Sequence, residues 1–156
     1  MNNLTPKKVS ESKTEQVQFI IPQHLNGANR LFGGRLAEWI DVVAGVVARR
    51  HSNHNVTTLM IDNLHFKAPV YINEMVLLIG RITYVGRTSM EVRVDTFVEN
   101  LNGSKVLVNR AYLLLVALDE NDKPIDVPKL ILETEEEKME WQAGIKRNER
   151  RKEISN

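Results

Sequence analysis

The chain has 156 residues, with 21 lysines and arginines against 20 aspartates and glutamates, and it contains no cysteine. This length is enough for one domain with a single hydrophobic core. The near balance of charge gives no long-range attraction to nucleic acid or to an anionic membrane, so we expect neither as a partner. The lack of cysteine excludes disulfides, thiolate metal sites and cysteine nucleophiles. It is typical of a reducing compartment, and we expect a cytoplasmic protein.

The N-terminal segment is polar. Residues 1–14 hold Lys, Ser and Asn in place of the apolar segment of a secretory signal, and no apolar run in the chain approaches the roughly 20 residues that span a bilayer. Such a segment cannot bury enough area to order itself, so it predicts a flexible tail. Residues 15–21 alternate in part and end at Pro22, which predicts a short strand.

Gly33 and Gly34 end a loop rich in glycine and asparagine, next to an apolar segment. Because they lack Cβ atoms, they leave the first backbone amides of the following helix uncovered. Residues 31–51 have helical periodicity and are apolar on nearly all sides, which is typical of a helix surrounded by protein. Asp41 lies in the middle of this helix. The other residues on its flank are small, and they are Ala37, Ala44, Gly45 and Ala48. We expect a close contact there, with a carboxylate inside it.

Four long, partly alternating and β-branched segments follow the helix, namely residues 57–66, 75–85, 89–98 and 106–118. Turn signals between the last three predict hairpins and therefore antiparallel neighbours. The order of one strand, one long helix and four long strands predicts an α+β fold, in which a curved antiparallel sheet wraps around a long central helix. We expect this domain to cover residues 15–130.

The outer face of the predicted sheet must also be buried. Residues 111–118 are apolar on both sides, which predicts packing against something large, and the domain offers one helix. We therefore expect a homo-oligomer with a dimer as its minimum. Residues 131–156 are acidic first and basic later, the order that a helix dipole favours, and they predict a charged surface helix.

Four segments, in order, resemble the acyl-CoA thioesterases with a hot-dog fold, in particular the cytosolic acyl-CoA hydrolases. They are residues 26–41 (NGANRLFGGRLAEWID), 56–70 (VTTLMIDNLHFKAPV), 86–92 (GRTSMEV) and 111–128 (AYLLLVALDENDKPIDVP). The resemblance implies a hot-dog dimer, often assembled further into a tetramer or hexamer, with two active sites at each dimer interface. It also implies hydrolysis of acyl-CoA to a free acid and CoA, within fatty acid metabolism. No cofactor is expected, because CoA is part of the substrate.

The resemblance gives roles to individual residues. The amides near Gly33 and Gly34, at the positive end of a helix dipole, are expected to form the oxyanion hole for a thioester carbonyl. Asp41 is expected to act as a general base or as a nucleophile, and the sequence leaves both mechanisms open. Asn26, in its own subunit or in the partner subunit, would position the water or the carbonyl.

The turn formed by Gly86, Arg87, Thr88 and Ser89 has ordinary hairpin chemistry, but by resemblance it lies along CoA. Arg87 would then meet a phosphate, and Thr88 or Ser89 would meet the pantetheine arm. Structural roles compete with these assignments. Asp41 could be a buried carboxylate that accepts hydrogen bonds, and Asn26 could be a turn former.

The four histidines, His24, His51, His54 and His65, show no metal-ligand spacing, so we expect satisfied or exposed side chains and no metal site. Two other functions stay open. His24 with Asp41 could serve a hydroxyacyl thioester dehydratase, which the same fold supports, although the Pro-rich loop of those enzymes is missing. The second is a sensor that binds acyl-CoA without turnover, and release of free thiol separates it from an enzyme.

Overall fold

The computed structural model describes residues 4–154. Its main sheet has five strands, which are β2 (Thr14–Phe19), β3 (Asn55–Asp62), β4 (Met75–Val85), β5 (Ser89–Glu99) and β6 (Lys105–Leu118). All pairings in this sheet are antiparallel, and the strand order is β2-β4-β5-β6-β3. A long helix, α1 (Gly33–Ser52), packs on one face, and a second helix, α2 (Glu135–Ile154), contacts the other. Two short strands, β1 (Lys7–Lys8) and β7 (Leu130–Ile131), form a separate parallel pair. The predicted α+β hot-dog architecture is confirmed.

The sheet wraps around α1 as the helical periodicity predicts. Leu36, Ile40, Val43 and Val47 are each no more than 1% exposed and form the centre of the core. On β4, a Cβ built at Gly80 would lie 2.7 Å from Val43 Cγ1, so glycine at this position lets the helix lie close to the strand. Burial of four branched aliphatic side chains stabilises this contact by about 1.5–3 kcal/mol for each of them.

The two predicted hairpins are also present. β4 and β5 are joined by a turn in which the Gly86 amide donates to the Ser89 carbonyl at 2.9 Å. β5 and β6 are joined through Asn100 and Ser104, with Gly103 at a φ of +85°. A left-handed φ is the conformation that glycine adopts without steric cost, so this turn explains the glycine in that loop.

β3 ends earlier than the predicted strand, which extended to residue 66. The strand ends at Asp62 because Asn63 adopts a left-handed φ of 66°. The buried Asn109 side chain on β6 then donates to the carbonyls of Asn63 at 3.1 Å and His65 at 2.9 Å. These side-chain bonds replace the next bonds of the ladder, and the chain leaves the sheet toward the start of α1.

The N-terminal segment makes contacts that its polar composition did not predict. Lys7–Lys8 pairs with Leu130–Ile131, and Val9, 6% exposed, joins the core. One apolar side chain and a short ladder hold this part of the predicted tail against the domain. The division at residues 14 and 130 stays a prediction. Residues 1–3 of the predicted tail and residues 155–156 of the predicted C-terminal helix lie outside the described residues.

Helix α2 has three glutamates in its first turn and basic residues in its last, as predicted. It covers part of the outer sheet face that was expected to meet another subunit. Trp141 packs on Tyr84 with ring centroids 4.6 Å apart, and the Arg147 guanidinium lies 3.9 Å from the centre of the Tyr112 ring. Within residues 4–154, neither α1 nor α2 combines the length and the apolar character needed to cross a membrane.

Candidate active site

The N-terminus of α1 presents free backbone donors. The residue before the helix, Phe32, offers no side-chain cap, and its carbonyl accepts from the amides of Arg35 at 3.0 Å and Leu36 at 3.2 Å. Among residues 4–154, no acceptor meets the amides of Gly33 and Gly34, and both glycines are exposed. These two amides lie at the positive end of the helix dipole, as predicted, and are available to an oxyanion.

Two phenylalanine rings lie beside these amides. A Cβ built at Gly34 would lie 2.6 Å from Phe32 Cε1, and one built at Gly33 would lie 3.6 Å from Phe66 Cε2. The Phe32 ring therefore occupies the space that a side chain at position 34 would need. Phe32 is 55% exposed and Phe66 is 37% exposed, so the donors have an apolar surrounding that is open on one side.

Asn26 lies in the loop before α1, and its side chain organises that loop. Its Oδ1 accepts from the amides of Ala28 at 2.9 Å and Arg30 at 3.2 Å, which is the turn-forming role considered above. Asn29 adopts a left-handed φ of 59°, a conformation that asparagine tolerates better than most residues. Within the described part of the chain the Asn26 Nδ2 group has no acceptor, so it is available to a ligand. Asn26 and Gly33 line one cavity, together with Phe66.

The Asp41 carboxylate is held by a hydroxyl from the sheet. Thr58 on β3 donates to Asp41 Oδ1 at 2.7 Å, and Asp41 is half-buried. This donor fixes the orientation of the carboxylate, and within residues 4–154 no donor meets the second oxygen, which can accept a proton. The arrangement suits a general base, and it equally suits a nucleophile.

The predicted oxyanion donors and the predicted base lie at different positions along α1. Gly34 and Asp41 lie on the same face of α1, because seven residues are close to two full turns. That separation also places them about 10 Å apart along the helix axis. A base and an oxyanion donor that act on one carbonyl must each lie within about 3 Å of the reacting atoms. An axial separation of this size is large for a base and oxyanion donors that act on the same carbonyl group.

Exposed apolar residues flank Asp41 and Thr58 along the chain. Val42 is 52% exposed and Leu59 is 59% exposed, and both are neighbours in sequence of the Asp41–Thr58 pair. Gly45, one turn further along α1, has no atom within 4 Å of the position of a Cβ. An apolar surface of this kind is typical of a contact with another protein chain.

The turn at Gly86, Arg87, Thr88 and Ser89 is tied to the rest of the domain through its backbone. The carbonyl of Thr88 accepts from Ala117 at 3.1 Å, and that of Arg87 accepts from Val127 at 2.9 Å. The Arg87 side chain is 79% exposed and donates to Asp126 Oδ1 at 2.7 Å. Phosphate binding by Arg87 stays a prediction, and within the domain its guanidinium is paired with a carboxylate.

The histidines are mostly engaged in the fold. His24 contacts Trp39 edge-on at 4.9 Å and accepts from the Ile21 amide at 3.2 Å. His51 is fully buried, and its Nε2 lies 2.8 Å from the Pro128 carbonyl. Burial lowers the pKa of His51, while the Pro128 carbonyl acts against that shift. Among residues 4–154, no group of three or more histidines, aspartates and glutamates could hold a metal ion.

Thr58 is the contact of Asp41 that sequence reasoning did not single out. It lies in a segment of β-branched residues, where threonine is common for its strand propensity alone. Strand alternation could have placed Thr58 on the inner face opposite Asp41, but a register shift between Thr58 and Met60 breaks that alternation. The sequence pattern alone therefore did not decide on which face of the sheet Thr58 lies.

The chain is similar in sequence to known thioesterases. The family model described as Thioesterase superfamily matches residues 28–103. A Bacillus subtilis protein named uncharacterized acyl-CoA thioester hydrolase is 38% identical over 143 residues, which are 91% of this chain and 83% of that protein. The cytosolic acyl coenzyme A thioester hydrolase of Rattus norvegicus is 30% identical over 146 residues. The alignment covers 91% of this chain and 38% of the rat protein, so the chain spans well under half of that relative.

The chain is also similar to solved structures of acyl-CoA thioesterases. An apo-hexameric acyl-CoA thioesterase is 34% identical, with a TM-score of 0.90 and 97% of each chain covered. The Staphylococcus aureus acyl-CoA hydrolase was solved with butyryl coenzyme A, coenzyme A and coenzyme A disulfide. It is 32% identical to this chain, with a TM-score of 0.88. The match covers 96% of this chain and 92% of that one. The same enzyme has been solved as three variants in which an asparagine, an aspartate or a threonine is replaced by alanine. The chain therefore belongs to the thioesterase superfamily and, within it, to the hot-dog acyl-CoA thioesterases.

Proposed function

We propose that this chain hydrolyses the thioester of acyl-CoA to a free acid and CoA, with Asp41 as the catalytic carboxylate. The amides of Gly33 and Gly34 form the oxyanion hole, Asn26 positions the water or the carbonyl, and Thr58 orients Asp41. The observation that carries the proposal is the 2.7 Å hydrogen bond from Thr58 to Asp41, which leaves one carboxylate oxygen free on an apolar, ligand-accessible surface.

The reaction follows from this arrangement. Asp41 takes a proton from a water molecule as the water oxygen attacks the carbonyl carbon, and the glycine amides stabilise the negative carbonyl oxygen. Collapse of the intermediate breaks the C–S bond, and the CoA thiolate leaves with the proton from Asp41. In the alternative path the carboxylate itself attacks, and water then hydrolyses the resulting anhydride. Neither path requires a cofactor.

The Staphylococcus aureus variants support these residue roles. Their asparagine, aspartate and threonine positions are separated by 15 and 17 residues. Asn26, Asp41 and Thr58 have the same two separations. The chemical types and the order along the chain also agree, so the residues that were changed in that enzyme have counterparts in this chain.

We further propose that two copies complete each site. The separation of about 10 Å between Gly34 and Asp41 along α1 supports a site in which the amides of one copy work with the carboxylate of the other. The exposed Val42 and Leu59 side chains supply an apolar contact surface for this pairing. The hexameric state of a similar thioesterase supports a homo-oligomer, and the dimer is its minimum unit.

The turn from Gly86 to Ser89 is proposed to bind CoA, with Arg87 on a phosphate and Thr88 or Ser89 on the pantetheine arm. A highly exposed arginine at a rigid hairpin turn supports this role. We also expect the protein to act in the cytoplasm, an expectation that the name of the rat relative supports.

The two alternatives have less support. His24 packs against Trp39 and accepts a backbone hydrogen bond, so it is poorly available as the base of a dehydratase. A sensor without turnover would have no use for a carboxylate oriented by Thr58 beside free amides.

A thiol-release screen tests the proposal. Purified protein is incubated with short, medium and long acyl-CoAs, free thiol is measured colorimetrically, and the organic product is identified by mass spectrometry. We expect free thiol and free acid in equal amounts for at least one chain length. Binding without thiol release in any of them would indicate a sensor, and an alkenoyl product would indicate a dehydratase.

A further inference from the structure

A buried asparagine on β6 holds an exposed segment beside the free amides of α1. Asn109 is fully buried, and its Nδ2 group donates to the carbonyls of Asn63 at 3.1 Å and His65 at 2.9 Å. Phe66 directly follows His65, and its ring lies next to Gly33. A side chain of the sheet thus fixes the backbone that carries Phe66.

The segment of residues 63–67 is held mainly through its backbone. All five residues are exposed, so burial does little to fix their position. The amide of Lys67 donates to the Val108 carbonyl at 2.8 Å, next to the buried asparagine. Three residues further on, the Val70 carbonyl accepts from the amide of Leu31 at 2.8 Å, at the start of the loop's contact with α1. The position of the segment therefore depends on a small number of hydrogen bonds.

The buried position of Asn109 is unfavourable for an amide. Asn109 lies on the inner face of the sheet, in line with Ala111 and Leu113 of the core. Its Oδ1 atom is buried and has no donor within the described residues. An unpaired buried oxygen lowers stability, and an apolar side chain at this position would avoid that loss. The contribution of Asn109 therefore lies in the two bonds that it donates to the segment.

The Phe66 ring lies close to the place that a bound thioester would occupy. A Cβ built at Gly33 would lie 3.6 Å from Phe66 Cε2, which is van der Waals distance, and both residues line one cavity with Asn26. A carbonyl oxygen that accepts from the Gly33 amide brings the carbon atoms attached to the carbonyl within a few ångströms of the ring. The ring therefore limits the size of the group next to the thioester.

We propose that Phe66 selects acyl groups that are unbranched at the carbon next to the carbonyl, and that Asn109 is the positioning residue that holds Phe66 in place. A methyl branch on that carbon would meet a ring whose backbone is fixed by the asparagine. A fixed pocket wall discriminates against one extra methyl group by about tenfold or more. The proposal rests on the proposed function and names the substrate class of the same site.

The first test compares kcat/KM for two substrates. One is the straight-chain acyl-CoA that the wild type hydrolyses fastest, and the other carries the same acyl group with a methyl branch at the carbon next to the carbonyl. We expect the wild type to prefer the straight chain by about tenfold or more, and Phe66→Ala to reduce this preference to within about twofold. Phe19→Ala, at an exposed phenylalanine on β2, is the matched control and should keep the preference. The ratio of two substrates on one preparation does not depend on the folded fraction, so a loss of stability alone does not change it.

The positioning role is tested by Asn109→Val, which removes both donors and suits a strand. We expect the preference for the straight chain to fall several-fold. The double variant with Phe66→Ala should show no lower preference than Phe66→Ala alone, because both changes act through the same ring. Thr96→Val is the control, since Thr96 pairs with Asn109 in the sheet and its buried hydroxyl has no partner within the described residues. Asn109→Ser serves in the same test if Asn109→Val fails to fold.

Hydrogen exchange at the amide of Lys67 tests the positioning role without turnover. Asn109→Val should speed this exchange at least several-fold, and Thr96→Val should leave it unchanged. Unchanged exchange, or an unchanged preference in Asn109→Val, would overturn the role of Asn109. A wild-type protein that hydrolyses both substrates equally well, or a preference that survives Phe66→Ala, would overturn selection by Phe66 and leave the hydrolase proposal intact. No thiol release by the wild type from any acyl-CoA would overturn the hydrolase proposal and the selection together.

Discussion

The hydroxyl of Thr58 donates a hydrogen bond of 2.7 Å to Asp41 Oδ1, and thereby links the inner face of the sheet to the middle of helix α1. The threonine fixes the carboxylate against rotation, and no donor in the described part of the chain meets the other oxygen. The catalytic proposal depends on this pair more than on any other contact within a single chain.

Replacement of Thr58 by valine removes the hydroxyl and keeps the shape of the side chain. A hydrogen bond to a charged group contributes about 1.5–3 kcal/mol, so we expect kcat for acyl-CoA hydrolysis to fall roughly 10- to 100-fold. Thr57→Val is the control, because Thr57 is exposed and precedes Thr58 on the same strand. A kcat for Thr58→Val within twofold of wild type would show that the hydrogen bond has no catalytic role.

The contact between Gly34 and Phe32 predicts a rescue experiment. A methyl group at position 34 would lie 2.6 Å from the Phe32 ring, so Gly34→Ala must displace the ring or the helix start. We expect a drop in kcat of about tenfold or more from the displaced amides. The double variant Phe32→Ala with Gly34→Ala has space for the methyl group and should recover part of that loss. Additive effects of the two changes would argue against the steric coupling.

Glu91 is expected to be important for stability. Burial raises the pKa of its carboxyl, but hydrogen bonds from Arg147, Thr83 and Arg151 outweigh burial and hold the pKa below its usual value. Glu91→Gln removes the buried carboxylate that Arg147 and Arg151 share and leaves them only the more exposed Glu140 and Asp62, which costs about 3 kcal/mol in the free energy of unfolding. Denaturant unfolding measures this change, and the exposed Glu149→Gln on α2 serves as its control.

The Glu91 carboxylate also predicts how the free energy of unfolding changes at acid pH. Because its pKa is lower in the folded state, the stabilisation is complete above the unfolded pKa of about 4.3 and is lost as pH falls through the folded value. The difference in unfolding free energy between wild type and Glu91→Gln should therefore shrink below that pH. A difference that stays constant down to pH 3 would contradict the assignment.

His51 predicts a second pH effect, in a higher range. Burial lowers its pKa below the usual value of about 6.5, so the unfolded chain binds a proton that the folded chain does not. The free energy of unfolding should consequently fall as pH decreases from about 6.5 toward the folded pKa of His51. Unfolding curves of His51→Gln should lack this slope. An equal slope in both proteins would assign it to other groups.

The sequence predicted the elements whose signal is local. The apolar stripe of α1 at Leu36, Ile40, Val43 and Val47 follows from helical periodicity, and the hairpin at Gly86 follows from its turn residues. Asp41 stood out because a carboxylate in an apolar helix conflicts with its neighbours. In each case the prediction depends on residues that lie within a few positions of one another in the sequence.

The remaining features arise from contacts between distant segments. Arg87 and Asp126 are 39 residues apart, and nothing local indicates that they pair. Glu91 occupies a position in a strand pattern that suggests exposure, yet α2 buries it under Arg147. Polar contacts of this kind hold α2 on the sheet, so its sparse apolar residues did not reveal that it covers the outer face.

The most direct measurement of the central claim is the steady-state hydrolysis of acyl-CoA by Asp41→Asn, set beside the affinity of the same variant for CoA. The substitution keeps the size of the side chain and removes its ability to accept a proton. We expect kcat to fall by at least a hundredfold, in the range typical for loss of a general base, with the dissociation constant for CoA within about twofold of wild type. A variant that retains wild-type kcat would contradict the account, since Asp41 would then be a structural carboxylate.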